Sequence, residues 1–289
     1  MSRIAYVNGR YRPQPEACVN VEDRGFQFAD GVYEVIALAG GRFVDEERHL
    51  RRLDRSLGEI AIAPPMGHAA LRLVLREVAR RNRVRDGLVY LQVTRGAARR
   101  DFAFPAKPVA PTLVVTARHT AAYPSDPGKW AIGAITHPDQ RWARCDIKST
   151  GMLAQVLAKQ AARAAGAQEA ILLDVQGMVT EGASSSAWIV DAAGALRTRR
   201  LDHAILPGCT RGALLALAGE GGLTVEERAF SAAELRGARE AFVTSATGFV
   251  RPVTTLDGAP VGDGAVGPVS RRLFQLFAQH ANPATNEHS

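Results

Sequence analysis

At 289 residues, 46% hydrophobic and 22% charged, the chain has the size and composition of a soluble globular protein with one large domain or two modest ones. No apolar run reaches the ~18 residues that suggest a membrane span, and Met1–Val7 lacks a signal peptide's apolar stretch, so neither membrane insertion nor export is expected. The net charge of +7 comes with scattered arginines, 6% aromatic residues and no nucleic-acid motif, which favours small anionic ligands over nucleic acid. Cys18, Cys145 and Cys209 show no CxxC or disulfide spacing, which fits a reducing cytoplasm.

In chain order, Ile4–Val7 and Arg10-Tyr11 read as a hairpin closed at Asn8-Gly9. Asp23–Val35 is rich in turn formers and then apolar, and a second hairpin turns at Gly40-Gly41 and ends in Arg42–Val44. Asp45 suits the N-cap of a helix that carries Leu50, Leu53, Leu57 and Ile60 on one stripe. A second helix over Ala69–Arg80 turns Leu71, Val74, Leu75 and Val78 inward, and Leu88–Thr94 and Thr112–Thr116 are strands. Ala121–Gly128, with two prolines and a glycine, is the expected linker. It divides a small N-terminal α/β domain, residues 1–120, from a larger C-terminal domain, residues 129–289.

In that second part a helix is expected over Met152–Ala165, then the apolar run Ala170–Val175, a turn at Gln176-Gly177 and the returning strand Met178–Gly182. Trp188–Val190 and Ala241–Thr244 read as strands, and a helix follows Pro207-Gly208. The last helix carries Val269, Leu273, Phe274 and Phe277, and the polar tail from Asn282 is expected to fray. No repeat or low-complexity block occurs.

Two stretches carry candidate chemistry. Lys148 lies within Arg141–Thr150, and the strand–turn–strand that follows returns Glu181 alongside the sheet, so an amine and a carboxylate are candidates for one pocket. A solvated lysine and a strand-end carboxylate in water are the plain alternatives. Further on, Ile205–Gly212 runs into a helix at Pro207-Gly208. The unpaired N–H groups of Cys209 and Thr210 would then form an anion site by geometry and dipole. The alternative is a helix start capped by Thr210, with no ligand.

The run RCDIKS at Arg144–Ser149, followed by VTEG-x-SSS at Val179–Ser186, resembles the pyridoxal-phosphate transaminases of fold type IV, most nearly the D-amino-acid transaminases. Further matches extend from about Asp23 to about Gly258. The resemblance implies an α+β fold of two domains with pyridoxal 5′-phosphate in the cleft between them, in a homodimer and with no metal. It makes Lys148 the Schiff-base lysine and proton shuttle, and Glu181 the partner of the ring nitrogen, with Leu206 packed on the ring. The phosphate falls to Cys209 and Thr210, to Arg52 in His49–Leu53, and to Ser245, Ala246 and Thr247, where Ala246 replaces a threonine frequent in relatives.

For the substrate, the resemblance points to Tyr33, Arg100 and Ser185, with Phe102 standing where relatives carry a histidine. The implied reaction moves an amino group from a D-amino acid to a 2-oxo acid. Branched-chain L-transaminases, (R)-amine transaminases and aminodeoxychorismate lyases share the fold, whereas Asp23–Val35 and Thr94–Pro105 favour the D-type. From another class, a non-catalytic protein could bind an anion or nucleotide at the Pro207-Gly208 helix start.

Overall fold

The computed structural model describes residues 3–282, so the polar tail beyond Asn282 lies outside the described residues. The chain forms two compact units, Met1–Ala122 with Ile147–Gly151, and Tyr123–Asp146 with Met152–Ser289.

In the first unit β1 (Ile4–Val7) and β2 (Arg10–Pro13) form the expected hairpin. Asn8 and Gly9 have φ of 43° and 88°, the left-handed pair that a two-residue type I′ turn requires. A short helix, α1 (Arg24–Phe28), starts where the Asp23 carboxylate accepts from the Gly25 N–H. It is followed by β3 (Gly31–Ala39), β4 (Arg42–Phe43), α2 (Glu46–Glu59), α3 (His68–Arg81), β5 (Gly87–Thr94) and β6 (Thr112–His119). The strands build an antiparallel sheet in the order β2-β1-β6-β5-β3-β4.

Leu50, Leu53 and Leu57 of α2 and Leu71, Leu75 and Val78 of α3 share a core with Val32, Ile36 and Leu38 of β3. Because strand side chains alternate, these β3 residues and Glu34 project to the same face, and Tyr33 to the other. Asp45 sits at the N-cap position of α2, but with left-handed backbone (φ 54°) and no side-chain cap bond; its carboxylate lies 3.7 Å from Arg48 instead.

The sequence reading kept the lysine motif in the C-terminal domain, whereas Ile147–Gly151 belongs to the first unit. Backbone bonding explains the excursion. The Tyr33 N–H donates to the Lys148 carbonyl at 3.0 Å, the Thr150 N–H donates to the Gly31 carbonyl at 3.0 Å, and Ile147 joins the α2–α3 core.

The second unit contains β7 (Ile132–Pro138), α4 (Leu153–Ala164), β8 (Glu169–Leu173), β9 (Val179–Gly182), β10 (Ser186–Val190) and β11 (Leu196–Thr198). Then follow α5 (Cys209–Glu220), β12 (Val225–Glu227), α6 (Ala232–Arg236), β13 (Glu240–Ser245), β14 (Phe249–Leu256), β15 (Ala259–Pro260) and α7 (Pro268–Ala281). They form a mixed sheet in the order β12-β11-β10-β13-β14-β7-β8-β9, with β15 against β14. Strands β7 and β14 have no counterpart in the sequence reading, and Pro252 inside β14 is a residue that argues against a central strand. Trp188 stacks on Phe242 at 5.5 Å, while Phe274 and Phe277 of α7 meet Tyr123 and Phe249 at 4.8 and 5.0 Å. Among the described residues no helix is long and apolar enough to cross a membrane.

The α2 stripe yields a stability prediction. Leu50 is fully buried and Leu73 is 69% exposed. Leu50→Ala is expected to cost about 2–5 kcal/mol through lost transfer energy and a cavity, and Leu73→Ala less than about 0.5 kcal/mol. Urea denaturation of the two variants measures the difference; similar midpoints would place the core elsewhere.

Candidate active site

The lysine is held by its backbone before its side chain does anything. Besides the two β3 bonds, the Lys148 N–H donates to Ser56 Oγ on α2 at 3.3 Å. Its Nζ then stands 4.1 Å from the centre of the Tyr33 ring. Tyr33 stacks on Tyr90 at 5.7 Å, and the Tyr90 hydroxyl donates to Gln92 at 2.6 Å. Burial, and then the nearby Tyr33, push the Tyr90 pKa up to about 12, so this phenol stays neutral. Lys148 and Tyr33, both expected at the site, are thus brought together.

The opposite face of β3 carries a charge the sequence reading passed over. Glu34 has no exposure among the apolar residues of that face. Arg52, expected on a phosphate, reaches it along one edge of its guanidinium, Nε to Oε1 at 2.8 Å and NH2 to Oε2 at 2.7 Å. His49 Nδ1 lies 2.7 Å from Oε2. Burial alone would raise the Glu34 pKa, but the charge and hydrogen bonds of Arg52, with His49, outweigh it and hold the carboxyl at about 2. A polar residue in register with Val32 and Ile36, facing His49-x-x-Arg52 at helical spacing, was the available signal.

In the second unit the turn between β8 and β9 returns Glu181 into the sheet, 5% exposed. Arg141 NH1 donates to its Oε1, and the Leu206 N–H lies 3.3 Å from each of its oxygens. Leu206 immediately precedes the Pro207-Gly208 start of α5, so one backbone amide ties the carboxylate to the helix N-terminus. The cap of α5 is Gly208 and makes no side-chain cap bond; Thr210, buried, lies one residue inside the helix and not at the cap. A Cβ on Gly208 would meet Ser186 Oγ at 2.8 Å, so glycine permits this close approach of helix and strand.

Ser186 pairs with Thr244, which places the α5 start and the turn after β13 at one end of the same strand pair. In that turn Ser245 Oγ lies 3.2 Å from Thr247 Oγ1 and accepts from the Gly248 N–H at 3.0 Å, while Ala246 contributes no hydroxyl. Cys209, Thr210, Ser245, Ala246 and Thr247 are therefore collected by one end of one sheet.

Other expected residues fall out differently. The Ser185 hydroxyl donates to Glu169 Oε2 at 2.8 Å, which leaves its oxygen lone pairs as what it can offer a further partner. Arg100 is exposed, its guanidinium 5.1 Å from the Phe28 ring and 5.8 Å from that of Phe102. Phe102 is 82% exposed and packs on Phe28 at 5.5 Å. Among the described residues no carboxylate pairs with Arg100, and no hydrogen bond or ring contact joins it to Tyr33.

A family model described as class IV amino-transferase matches residues 31–256. The chain belongs to the class IV aminotransferases. It is 41% identical over 266 residues to a D-alanine aminotransferase of Bacillus licheniformis, covering 92% of this chain and 93% of that one. A D-alanine aminotransferase of Listeria monocytogenes is 38% identical over 285 residues, 97% of each chain. Among solved structures, a branched-chain amino acid aminotransferase of Escherichia coli superposes with a TM-score of 0.89 at 26% identity, covering 100% of this chain and 97% of that one. A branched-chain amino acid aminotransferase of T.th., crystallised with pyridoxamine 5′-phosphate, gives 0.87 at 26% identity over the same shares.

Class IV aminotransferases depend on pyridoxal 5′-phosphate, and their architecture is fold type IV. The chemistry of the donor set fits that cofactor. A helix start without a side-chain cap, with two hydroxyls at the same sheet end, suits a phosphate. The carboxylate of Glu181 suits a ring nitrogen, and the amine of Lys148 a carbonyl carbon.

The Glu34 cluster makes the aminotransferase's acid stability testable. Its folded pKa, about 2, lies below the ordinary 4.5, so the unfolded chain binds the proton more tightly. The stabilisation is complete above about pH 4.5 and is lost as pH falls towards about 2, and it amounts to roughly 3 kcal/mol. Glu34→Gln is expected to lower stability at neutral pH by that order, with the gap to wild type closing in acid. Chemical denaturation across pH checks it; a gap of constant size would mean Glu34 is not ionised in the fold.

Proposed function

We propose that this aminotransferase acts on D-amino acids, moving the amino group of a D-alanine- or D-glutamate-type donor to a 2-oxo acid such as 2-oxoglutarate or pyruvate. With D-alanine and 2-oxoglutarate the products are pyruvate and D-glutamate. Lys148 carries the reading, as an amine anchored to β3 by its own backbone and set 4.1 Å over the Tyr33 ring. Identities of 36–41% to several D-alanine aminotransferases support the choice of donor.

When bound, pyridoxal phosphate supplies an electrophilic carbonyl and a ring that draws electrons from the substrate Cα. Lys148 Nζ would hold that carbonyl carbon and would carry the proton to and from the substrate Cα. Glu181, braced by Arg141 and the Leu206 N–H, would keep a proton on the ring nitrogen. Leu206 would pack on the ring, and the N–H groups of Cys209 and Thr210, the 245–247 turn and Arg52 would take the phosphate. Arg100 and Tyr33 receive the substrate carboxylate. An arginine on an aromatic platform, with no carboxylate partner among the described residues, supports that assignment. Cytoplasmic location and a homodimer go with the reading; light scattering measures the assembly.

The 0.89 TM-score to a branched-chain aminotransferase favours one second reading, an L-branched-chain donor. Single-turnover absorbance of the holoenzyme with D- and L-alanine, D- and L-glutamate, D- and L-leucine and (R)-phenylethylamine separates the two. Bleaching by the D-forms supports the proposal, and bleaching by L-leucine alone replaces it. In the same assay Lys148→Ala is expected to bind cofactor without the covalent link and to lose several orders of magnitude in turnover. Near-normal turnover would mean that another lysine serves.

Arg100→Leu is expected to raise KM for D-alanine at least about tenfold, on the order of 1.4 kcal/mol, while hardly changing (R)-phenylethylamine, which has no carboxylate. Equal responses to both amines would remove Arg100 from substrate binding.

A further inference from the structure

The connection from β5 to β6 carries Arg100 and has no helix or strand of its own, so its shape depends on what grips it from outside. Its base is held by backbone bonds: the Arg24 N–H donates to the Gly96 carbonyl at 2.9 Å, and the Ala98 N–H to the Glu22 carbonyl at 3.2 Å. Beyond Ala98 the grip passes to one side chain. Arg24, at the start of α1, is 3% exposed. Its NH1 donates to the Asp101 carbonyl at 2.6 Å and its NH2 to the Phe102 carbonyl at 3.4 Å. Asp101 is the residue that follows Arg100, so the peptide that leaves Arg100 is the one being held.

Arg24 is itself aimed by a buried ionic frame. Its Nε donates to Asp30 Oδ2 at 2.7 Å. Asp30 also takes one edge of Arg95, from Nε at 2.7 Å and from NH2 at 3.0 Å, and Arg95 is tied in turn to the Ala61 and Ile60 carbonyls at 3.0 and 2.6 Å. Burial acts to raise the Asp30 pKa, but the hydrogen bonds and charges of Arg95 and Arg24 outweigh it and hold it below the usual range, so Asp30 is a carboxylate at neutral pH. The Phe28 ring completes the frame, with the guanidinium carbons of Arg24 and Arg100 at 4.9 and 5.1 Å from its centre. An arginine grips a carboxylate with paired hydrogen bonds only in a defined orientation, and a preset loop avoids the cost of ordering it on binding.

We propose that Arg24 is a positioning residue for substrate binding: by holding the Asp101 and Phe102 carbonyls it presets Arg100 for the substrate carboxylate. The proposal rests on the reading of Arg100 given above and extends it to a buried arginine that acts only through that residue.

The test reads KM and kcat of the holoenzyme for D-alanine in Arg24→Met, Arg24→Lys, Arg100→Leu and the double variant of Arg24→Met with Arg100→Leu. Arg24→Met removes the donors at similar length and is expected to raise KM at least about fivefold with kcat within about twofold, the pattern of a lost binding interaction. Arg24→Lys keeps the charge but not the forked geometry, and is expected to raise KM by a smaller factor. In the double variant KM is expected to be no higher than in Arg100→Leu alone, because nothing is left for Arg24 to position. A role in the fold at large would lower kcat as well or add its effect to that of Arg100→Leu; either result, or an unchanged KM, overturns the proposal. If Arg24→Met fails to fold, Arg24→Lys and its double variant with Arg100→Leu are judged by the same constants. If Arg100→Leu leaves KM unchanged, the reading of Arg100 falls and takes this proposal with it; if Arg100→Leu raises KM and Arg24→Met does not, only the Arg24 proposal falls. If L-leucine reacts and D-alanine does not, the same constants are read with L-leucine, so the choice of donor does not decide the outcome.

Discussion

Burying a carboxylate without a partner costs more than most single contacts return, and much of the local geometry here follows from how that cost is met. Glu34 sits at zero exposure on a strand face otherwise made of Val32, Ile36 and Leu38. Arg52 and His49, one helical turn apart on α2, converge on it. The resulting bonds fix α2 against β3 in rotation as well as in position, which apolar packing alone does less sharply. Ser56, further along α2, can then receive the Lys148 N–H, while β3 offers its backbone at Tyr33 and Gly31 to the same short segment. A charge pair on one face of a strand thus fixes an amine near a phenol on the other.

That dependence explains why the lysine does not follow its sequence neighbours. Residues before Ile147 and after Gly151 belong to the second unit, yet the stretch between them crosses to the first. A few residues carry little buried area, so backbone hydrogen bonds have to set their register, and at β3 they do. The neighbouring motif positions show the same economy. Cys145 is buried and donates to the Trp142 carbonyl, with a pKa that burial pushes up to about 11, so it stays a protonated, structural thiol.

Much of the chain was legible because its signals are local. Asn8-Gly9 specifies its own turn, the leucine stripes of α2 and α3 repeat at helical spacing, and Pro207-Gly208 announces the start of α5. What stayed hidden depends on residues far apart in the chain. Glu34 reads as one polar residue in a strand until Arg52 is known to face it, and Arg141 reads as one arginine among many until Asp139 and Glu181 are both beside it. The excursion of Ile147–Gly151 has no compositional mark, since its partners are backbone groups. Strand β14 begins at Phe249 with φ of 52° and contains Pro252, two features that argue against a strand unless its neighbours are already in place.

The two charged clusters are built differently, each within its own unit. In the first unit the Arg52 guanidinium is bonded along one edge to Glu34, so a long side chain is fixed in direction by a buried carboxylate. In the second unit Asp139 and Glu181 share the Arg141 guanidinium, while the amides that open α5 and the hydroxyls of Ser245 and Thr247 are neutral groups whose strength comes from fixed geometry and the helix dipole. One sheet therefore carries both a buried ionic cluster and a helix start without a side-chain cap, and the Leu206 N–H, next to that helix start, joins the two by donating to Glu181.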